Sequence, residues 1–333
     1  MRSFRDFMES ALYDAERGYY CVREKTADFY TAPELHRAFG CVLADRLARF
    51  LEQVAAEDLS APLSLVEAGC GDGTLACQVA RRLQEHHASV TSRVRFVLVE
   101  RGRKDLTTAI SRLTAFGLPV EGYTDISQVP AFKGVLYSNE LLDSLAVHLL
   151  QKHHGKVLEV FIDNAGREVC AELSLPELRA PAAALENTLQ EGERHAVNLA
   201  APRWIHSAAG VLKAGYVVSV DYGKRFAPGD VNPPRAFRSH SASSYVTREP
   251  GSQDLTASVD FEAIIAAGYE AQLTVDSYGT LSKFLIDGGI GAWIEHAEGP
   301  GPSDYRERAQ IKTLIHPEGM GEIFKVLVQR KAR

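Results

Sequence analysis

The chain has 333 residues, of which 45% are hydrophobic and 24% charged. At about 100–200 residues per domain this predicts two domains or one heavily decorated one, and the composition excludes disordered and collagen-like chains. Its 37 Lys and Arg against 43 Asp and Glu leave a net charge of −6, which disfavours a nucleic-acid partner and suits a cationic one better. The cysteines Cys21, Cys41, Cys70, Cys77 and Cys170 hold no Cys-x-x-Cys pair. Neither a disulfide framework nor a metal site is expected, and a reducing compartment is. No apolar run reaches the roughly 18 residues of a spanning helix. The N-terminus carries Asp6, Glu9, Asp14 and Glu16, unlike a signal or transit peptide. These features predict a soluble cytoplasmic protein.

In chain order, residues 3–16 read as an amphipathic helix capped by Ser3 and ended by Gly18, with Phe4, Phe7, Met8, Ala11 and Leu12 at helical spacing. A second helix is predicted from Pro33 to about Ala56. The period then changes. Ser64–Glu67, Arg95–Glu100, Gly134–Ser138 and Gly215–Asp221 read as buried strands, with helices near Thr74–His87 and Leu106–Phe116. Strands alternating with helices mean βαβ units and a mostly parallel sheet covered on both faces. Between the third and fourth strands lie a hairpin, Val157–Asp163 with Glu168–Leu173, and a helix around Val197–Lys213. Residues 223–251 show no clear period, and a loop of that length in a compact enzyme is usually functional. A helix at Phe261–Ala267, a strand at Glu270–Asp276, helices near Thr280–Asp287 and Asp304–His316 and a last strand, Glu322–Val328, complete the pattern. The expected organisation is an N-terminal helical arm (1–60), a cofactor-binding half of a Rossmann-like α/β core (61–150) and an inserted hairpin and helix (151–213). The rest of the core (214–333) carries a long loop (223–259) and a helical insertion (279–316).

The most informative stretch is Glu67-Ala68-Gly69-Cys70-Gly71-Asp72-Gly73-Thr74, between a strand and a helix. Glycines there let the backbone turn tightly and approach a ligand at the carboxyl edge of the sheet. A dinucleotide fingerprint needs glycine three residues after Gly71, where this chain has Thr74. Glu67 and Asp72 would repel a pyrophosphate but attract S-adenosylmethionine, which carries an ammonium and a sulfonium. Glu100 ends the second strand and can accept both hydroxyls of a ribose. Asp125 and Ile126 fall where the adenine would lie, one to accept from its amine and the other to pack on the ring. The plainer alternatives are an ordinary βα turn and a solvated Asp125.

Several blocks resemble the MidA-like S-adenosylmethionine-dependent methyltransferases. They are Tyr13-Asp14 with Gly18-Tyr19-Tyr20, Asp28-Phe29-Tyr30-Thr31-Ala32-Pro33-Glu34, the glycine loop and Ser138-Asn139-Glu140-Leu141-Leu142-Asp143. Asp221-Tyr222-Gly223, Gln253-Asp254-Leu255-Thr256 with Val259-Asp260-Phe261, and Gly319-Met320-Gly321 with Phe324-Lys325-Val326-Leu327 follow in order. The family includes a mitochondrial complex I assembly methyltransferase. The resemblance implies a class I methyltransferase fold, mostly parallel with an antiparallel last strand, and methylation of an arginine on a protein such as a complex I subunit. Ala27, Ala32, Ala146, Ser258 and Thr280-Leu281 depart from the family's usual residues, and these departures bear on the acceptor rather than the fold.

A guanidinium stays protonated at neutral pH and needs carboxylates to hold and polarise it. Asn139, Glu140 and Asp143 follow the third of these strands, and a helical turn starting there would put both acids on one face. Glu140 is the expected grip on the substrate, Asp143 its orienting neighbour, and Asp221 a further candidate at the end of the next strand. The competing reading makes Asn139 a helix cap with Asp143 in its first turn. Tyr222 and Asp254 are weaker candidates, and Arg235, Arg238 and His240 read as solvated loop charges. His86-His87 and His153-His154 are adjacent pairs unsuited to a metal, and Trp204 and Trp293 read as core. A protein substrate is expected, with no nucleic acid and no membrane insertion. The alternatives are a small-molecule methyltransferase and a non-catalytic assembly chaperone that keeps the cofactor cleft.

Overall fold

The computed structural model describes residues 1–22, 31–58, 62–238, 241–297 and 301–332. Asp28, Phe29, Tyr30, Ala27 and His240 therefore lie outside the described residues. The chain divides into two compact units. One comprises Thr31–Leu141, Trp204–Gly223 and Ile265–Arg333, the other Met1–Tyr30, Leu142–Arg203 and Lys224–Ile264.

The first unit is built on seven strands: β1 (Leu63–Ala68), β2 (Val94–Val99), β3 (Val120–Tyr123), β4 (Phe132–Asn139), β5 (Leu212–Lys224), β6 (Thr274–Thr280) and β7 (Phe324–Lys331). Their order is β3-β2-β1-β4-β5-β7-β6. β1 to β5 pair in parallel, and β7 runs antiparallel to both β5 and β6. This is the class I methyltransferase arrangement that the family resemblance implied, including its antiparallel last strand. The β1 run Leu63–Ala68 is buried at every position, as a central parallel strand covered on both faces must be. On one face the helices Ala38–Glu57, Thr74–His86 and Arg103–Thr114 bury Phe39, Leu43, Leu47, Leu75, Val79, Leu106 and Leu113 against Leu65, Phe96, Val135, Tyr137 and Val218.

Three elements of this unit differ from the sequence expectation. The helix predicted over Pro33–Ala56 is two helices, Ala32–Leu35 and Ala38–Glu57, because His36 is extended (φ −158°, ψ 135°) and its Nδ1 accepts the Ala38 N–H at 3.0 Å, restarting the helix. The helix at Phe261 runs to Glu270, past the expected stop at Gly268, so the following strand begins at Thr274 instead of Glu270. A Cβ on Gly268 would lie 1.8 Å from Gln329 Nε2, which makes this glycine a close approach to β7 rather than a helix end. β3 is a short, half-buried strand whose sequence, Val120-Glu121-Gly122-Tyr123, carries too little apolar pattern to be predicted.

In the second unit the N-terminal helix Phe4–Tyr13 is capped as expected, the Ser3 hydroxyl accepting the Asp6 N–H at 3.1 Å. It ends short of Gly18 because Asp14 turns extended and its carboxylate takes the Glu16 and Arg17 N–H groups at 3.0 Å. The helix packs Phe4, Phe7, Met8 and Leu12 on Val147, Leu149, Val160 and Ile162. Leu149, Val160 and Ile162 belong to an antiparallel sheet of Arg2–Ser3, His148–His153, Lys156–Ile162, Glu168–Ala171 and Arg194–Val197, which Val147 immediately precedes. The predicted hairpin is thus two strands of a five-stranded sheet. The segment read as an aperiodic loop contains strands Arg235–Arg238 and Ser241–Ser243, which join Asp254–Thr256 in a small sheet.

Where β1, β4 and β5 run side by side, glycines pair in register at Gly134 and Gly215. Gly215 has φ +133°, and a Cβ there would sit 1.8 Å from the Gly134 carbonyl oxygen. Gly215→Ala is expected to destabilise the protein by about 2 kcal/mol or more through backbone strain and a backbone clash, read as a lowered urea midpoint at unchanged slope. An unchanged midpoint would show that the strands part without cost.

Candidate functional site

The strands β1, β2, β4 and β5 end together at the carboxyl edge of the sheet, and each end carries an acid or its neighbour. After β1 the chain turns through Gly69, Gly71 and Gly73, with φ of +72°, +53° and +83°. Three left-handed residues within five are affordable only to glycine. A Cβ on Gly69 would crowd Leu141 Cδ1 at 3.1 Å, and at Gly73 it would clash with the Ala109 Cα at 2.8 Å. Gly73 then opens the helix Thr74–His86.

Glu100, half-buried at the end of β2, spans this loop. One of its oxygens accepts the Gly71 N–H at 3.0 Å and the other the Gly102 N–H at 2.8 Å. Each oxygen keeps a lone pair, so the carboxylate is fixed in orientation and still able to accept two hydroxyls. Asp72 is turned elsewhere. It takes the Thr74 N–H and hydroxyl at 3.0 and 2.8 Å and pairs with Arg112 at 2.6 Å. Burial alone would raise its pKa, but the Thr74 hydrogen bonds and Arg112 hold it below the ordinary carboxylate value.

Glu67 is only 4% exposed and meets the Tyr137 hydroxyl at 2.5 Å. Burial pushes its pKa up to about 8, with Asp72 and Glu100 adding to the rise and the Tyr137 hydrogen bond opposing it. Tyr137 itself is pushed well above 10 by burial and by Glu67, so it remains a donor. Neither Tyr137 nor Arg112 was singled out by sequence reasoning, because one looks like an ordinary core aromatic and the other like a solvated helix charge.

Asp125 follows β3 and is exposed. Its carboxylate accepts the Ser127 N–H at 2.8 Å and the Ser127 hydroxyl at 2.5 Å, capping a short turn in which Ile126 is buried.

Asn139 is the last residue of β4, and Glu140 follows with φ +52°, a left-handed backbone on a residue with a side chain. Such strain costs on the order of 1–3 kcal/mol and persists only where the surroundings impose it. Here the Glu140 N–H is bound to the Val220 carbonyl at 2.9 Å and the Leu141 N–H to Asp221 Oδ2 at 3.2 Å. The Glu140 carboxylate receives the Asn139 Nδ2 at 2.9 Å and the Ala32 N–H at 3.4 Å. Asn139 Oδ1 is buried and meets no protein donor. Asp221 is 1% exposed and accepts its neighbour Tyr222 N–H at 2.9 Å.

The expected helical turn after Asn139 does not form. Residues 140–147 are turn and coil, because the left-handed Glu140 sends the chain out of helical geometry. The Asn139 helix cap therefore fails, and so does the argument that put Glu140 and Asp143 on one helical face. Asp143 belongs to the second unit, where it is buried and its carbonyl accepts the Ala257 N–H at 3.0 Å. The first unit thus gathers Glu67, Gly69, Gly71, Gly73 and Glu100 around one loop, and Asn139, Glu140 and Asp221 around the adjacent ends of β4 and β5. The side chain linking the two groups is Leu141, seated on Gly69. Its spacing from the loop in sequence gave no signal for that contact.

Known proteins resemble this chain along most of its length. Residues 42–279 match a family model described as "Putative S-adenosyl-L-methionine-dependent methyltransferase". The chain is 27% identical over 362 residues to the rat protein named "Protein arginine methyltransferase NDUFAF7, mitochondrial", covering 96% of this chain and 78% of that one. The human protein of the same name is 26% identical over 354 residues, with 96% and 78% covered. A crystal structure from Burkholderia thailandensis, bound to S-adenosyl-homocysteine, superimposes with a TM-score of 0.83 at 27% identity, covering 99% of this chain and 87% of that one.

The raised Glu67 carboxyl has a consequence for stability. The folded protein keeps a proton there between pH 4.5 and about 8 that the unfolded chain releases. Its contribution is therefore fully present below pH 4.5 and lost as pH rises through about 8. Relative to Glu67→Gln, the wild type is expected to lose stability steadily across this window, measured by urea unfolding at several pH values. A difference that stays constant with pH would show Glu67 ionised in the fold.

Proposed function

The chain belongs to the family of S-adenosyl-L-methionine-dependent methyltransferases, and from that premise we propose that it methylates an arginine side chain of a protein substrate. The observation that carries this reading is the Glu140 carboxylate, held at the end of β4 by a strained backbone and by Asn139 Nδ2. A planar cation with several N–H donors is the chemistry such an oriented carboxylate suits. The names of the rat and human relatives point the same way.

The cofactor is S-adenosylmethionine, and Glu100 is the acid at the loop left with acceptors for it, since Asp72 is paired with Arg112 and Glu67 keeps its proton up to about pH 8. We assign its holding to Glu67, Gly69, Gly71, Gly73 and Glu100, with Asp125 and Ile126 beside the adenine. The oriented, half-satisfied Glu100 carboxylate matches a pair of ribose hydroxyls. When bound, the cofactor supplies an electrophilic methyl group on a sulfonium. Glu140 accepts guanidinium N–H bonds and keeps the cation in one orientation. Asn139 fixes Glu140 through its Nδ2. Asp221 keeps the turn in place through the Leu141 N–H. Alignment of this kind is worth about 7–11 kcal/mol of a barrier. Within the first unit, 279–316 is assigned to the substrate side and residues 61–141 to the cofactor half.

No helix among the described residues is long and apolar enough to cross a membrane. The relatives' mitochondrial names do not support the expected cytoplasmic home. We propose only a reducing compartment, in keeping with five free thiols.

Titration calorimetry should find S-adenosylmethionine binding that weakens at least tenfold in Glu100→Gln and Gly71→Val. Glu140→Gln should retain that affinity while methyl incorporation into extract proteins falls by about 100-fold, the scale of removing one positioned charged group. Mass spectrometry should locate the label on arginine. Label on another residue or only on small molecules would overturn the substrate reading, and binding without any transfer would favour a chaperone.

A further inference from the structure

His36 joins three parts of the first unit. It stands between the short helix Ala32–Leu35 and the long helix Ala38–Glu57 and is buried, with 8% of its surface exposed. Its Nδ1 accepts the Ala38 N–H at 3.0 Å, and its Nε2 lies 3.1 Å from Glu307 Oε1 on the helix Pro302–Ile315. The ring meets Trp293 of the helix Gly291–His296 edge-on, with centroids 6.1 Å apart, and the Arg37 guanidinium lies 5.3 Å over the same indole. On the other side the His36 N–H closes the preceding turn onto the Ala32 carbonyl at 3.4 Å. The Ala32 N–H in turn donates to the Glu140 carboxylate.

A backbone N–H can only donate, so the Nδ1 that faces Ala38 carries a lone pair and no proton. The neutral ring then has its proton on Nε2, where Glu307 accepts it. One tautomer serves both contacts. A second proton would affect them in opposite ways, strengthening the bond to the Glu307 carboxylate and setting an N–H against the Ala38 N–H. The charged groups that act on the ring are Glu307 from the helix Pro302–Ile315 and Arg37 from its own segment, and Trp293 does not titrate. Burial lowers the His36 pKa below the ordinary 6.5 and Arg37 adds to this, while Glu307 opposes it. We propose that His36 is a positioning residue for Glu140, acting as the neutral tautomer with its proton on Nε2. In that form it fastens the Ala32 turn to the helices Gly291–His296 and Pro302–Ile315, which lie in the segment assigned to the substrate side. The carboxylate that grips the substrate and the segment beside it are thus held in one arrangement. A proton on Nδ1 undoes the start of the helix at Ala38 and frees the turn. The fold keeps the ring neutral where the unfolded chain takes up a proton, so this link is complete above pH 6.5 and lost as pH falls below it. The positioning role rests on the reading of Glu140 given above, whereas the tautomer and its coupling to Ala32 stand without it.

The test is a pH titration of the folded wild type, isotope-labelled at histidine and backbone nitrogen and followed by nuclear magnetic resonance, with His36→Asn identifying the resonances. Above pH 6.5 the His36 ring should show a protonated Nε2 and a bare Nδ1. Its midpoint should lie below 6.5, and the Ala32 and Ala38 amide shifts should move with that midpoint. Glu307→Gln keeps an acceptor but removes the charge that favours protonation, so the midpoint should fall further. His36→Asn keeps an acceptor for the N–H two residues on and has no proton to gain. Its Ala38 amide should stay protected from exchange while the Ala32 shift loses the acid step. In His36→Ala, exchange at Ala38 should rise about tenfold. Methyl transfer to extract proteins should decline with the His36 midpoint in the wild type and lose that step in His36→Asn. A proton on Nδ1 above pH 6.5, or an Ala32 amide that ignores the His36 titration, would overturn the proposal. Transfer with the same pH profile in wild type and His36→Asn would overturn the positioning role. Equal transfer by wild type and Glu140→Gln bears on the reading of Glu140 alone, because the ring and amide shifts are read without any substrate.

Discussion

Parallel strands that end at a common edge leave the next turns with backbone N–H groups and no ladder to receive them. In this protein those groups are taken up by carboxylates standing at the strand ends. Glu100 receives Gly71 and Gly102, Asp221 receives Leu141 and Tyr222, and Glu140 receives Ala32. An ionised acceptor makes a stronger bond than a carbonyl and has lone pairs to spare. Glu100, half-buried and holding two amides, therefore remains able to bind something else. The turns after β1 and β4 depend on this use of acids as backbone acceptors, together with the Val220 carbonyl that holds the left-handed Glu140.

Gathering acids at one edge has an electrostatic cost, and the structure meets it differently at each. Asp72 is offset by Arg112 and by the start of its helix. Glu67, sealed behind Tyr137, instead keeps its proton up to about pH 8. Glu100 spends its charge on two amides. The edge presented to a ligand is thus less negative than its composition suggests but still unsuited to an anion. A cofactor with an ammonium and a sulfonium encounters carboxylates already in position, with little reorganisation left to do.

The strand–glycine–helix pattern, the acid at the end of β2 and the Asn139-Glu140 block were legible because each rests on local chemistry: a positive φ, a strand end, a charged residue after an apolar run. What was not legible depends on contacts distant in sequence. Leu141 fills the space left by Gly69, His36 breaks a helix by capping its successor, and Gly268 admits Gln329 rather than stopping a helix. The failed helix after Asn139 is the clearest case. Asn and Asp at that spacing are good capping residues, but the bonds from Glu140 to Val220 and from Leu141 to Asp221 fix a backbone that cannot enter a helix.

The blocks that carry the family resemblance also divide between the two units, and this bears on what such blocks mean. The glycine loop and Asn139–Leu141 lie in one unit, whereas Tyr13, Tyr20, Asp143 and Asp254 lie in the other. There the Tyr20 hydroxyl donates to Asp254 at 2.7 Å and the Tyr13 hydroxyl to the Ser144 carbonyl at 3.1 Å, tying the N-terminal segment to a strand and a turn of its own unit. A family motif can therefore be a structural tie as readily as a reacting group. Two of the departures, Ala146 and Ser258, fall in this second unit, the first buried in its core and the second accepting Asn232 through its backbone carbonyl. Neither alters an acid or a glycine of the loop. A third departure, Ala32, lies in the first unit and gives its backbone N–H to the Glu140 carboxylate, a contact that depends on the main chain and not on the side chain that differs.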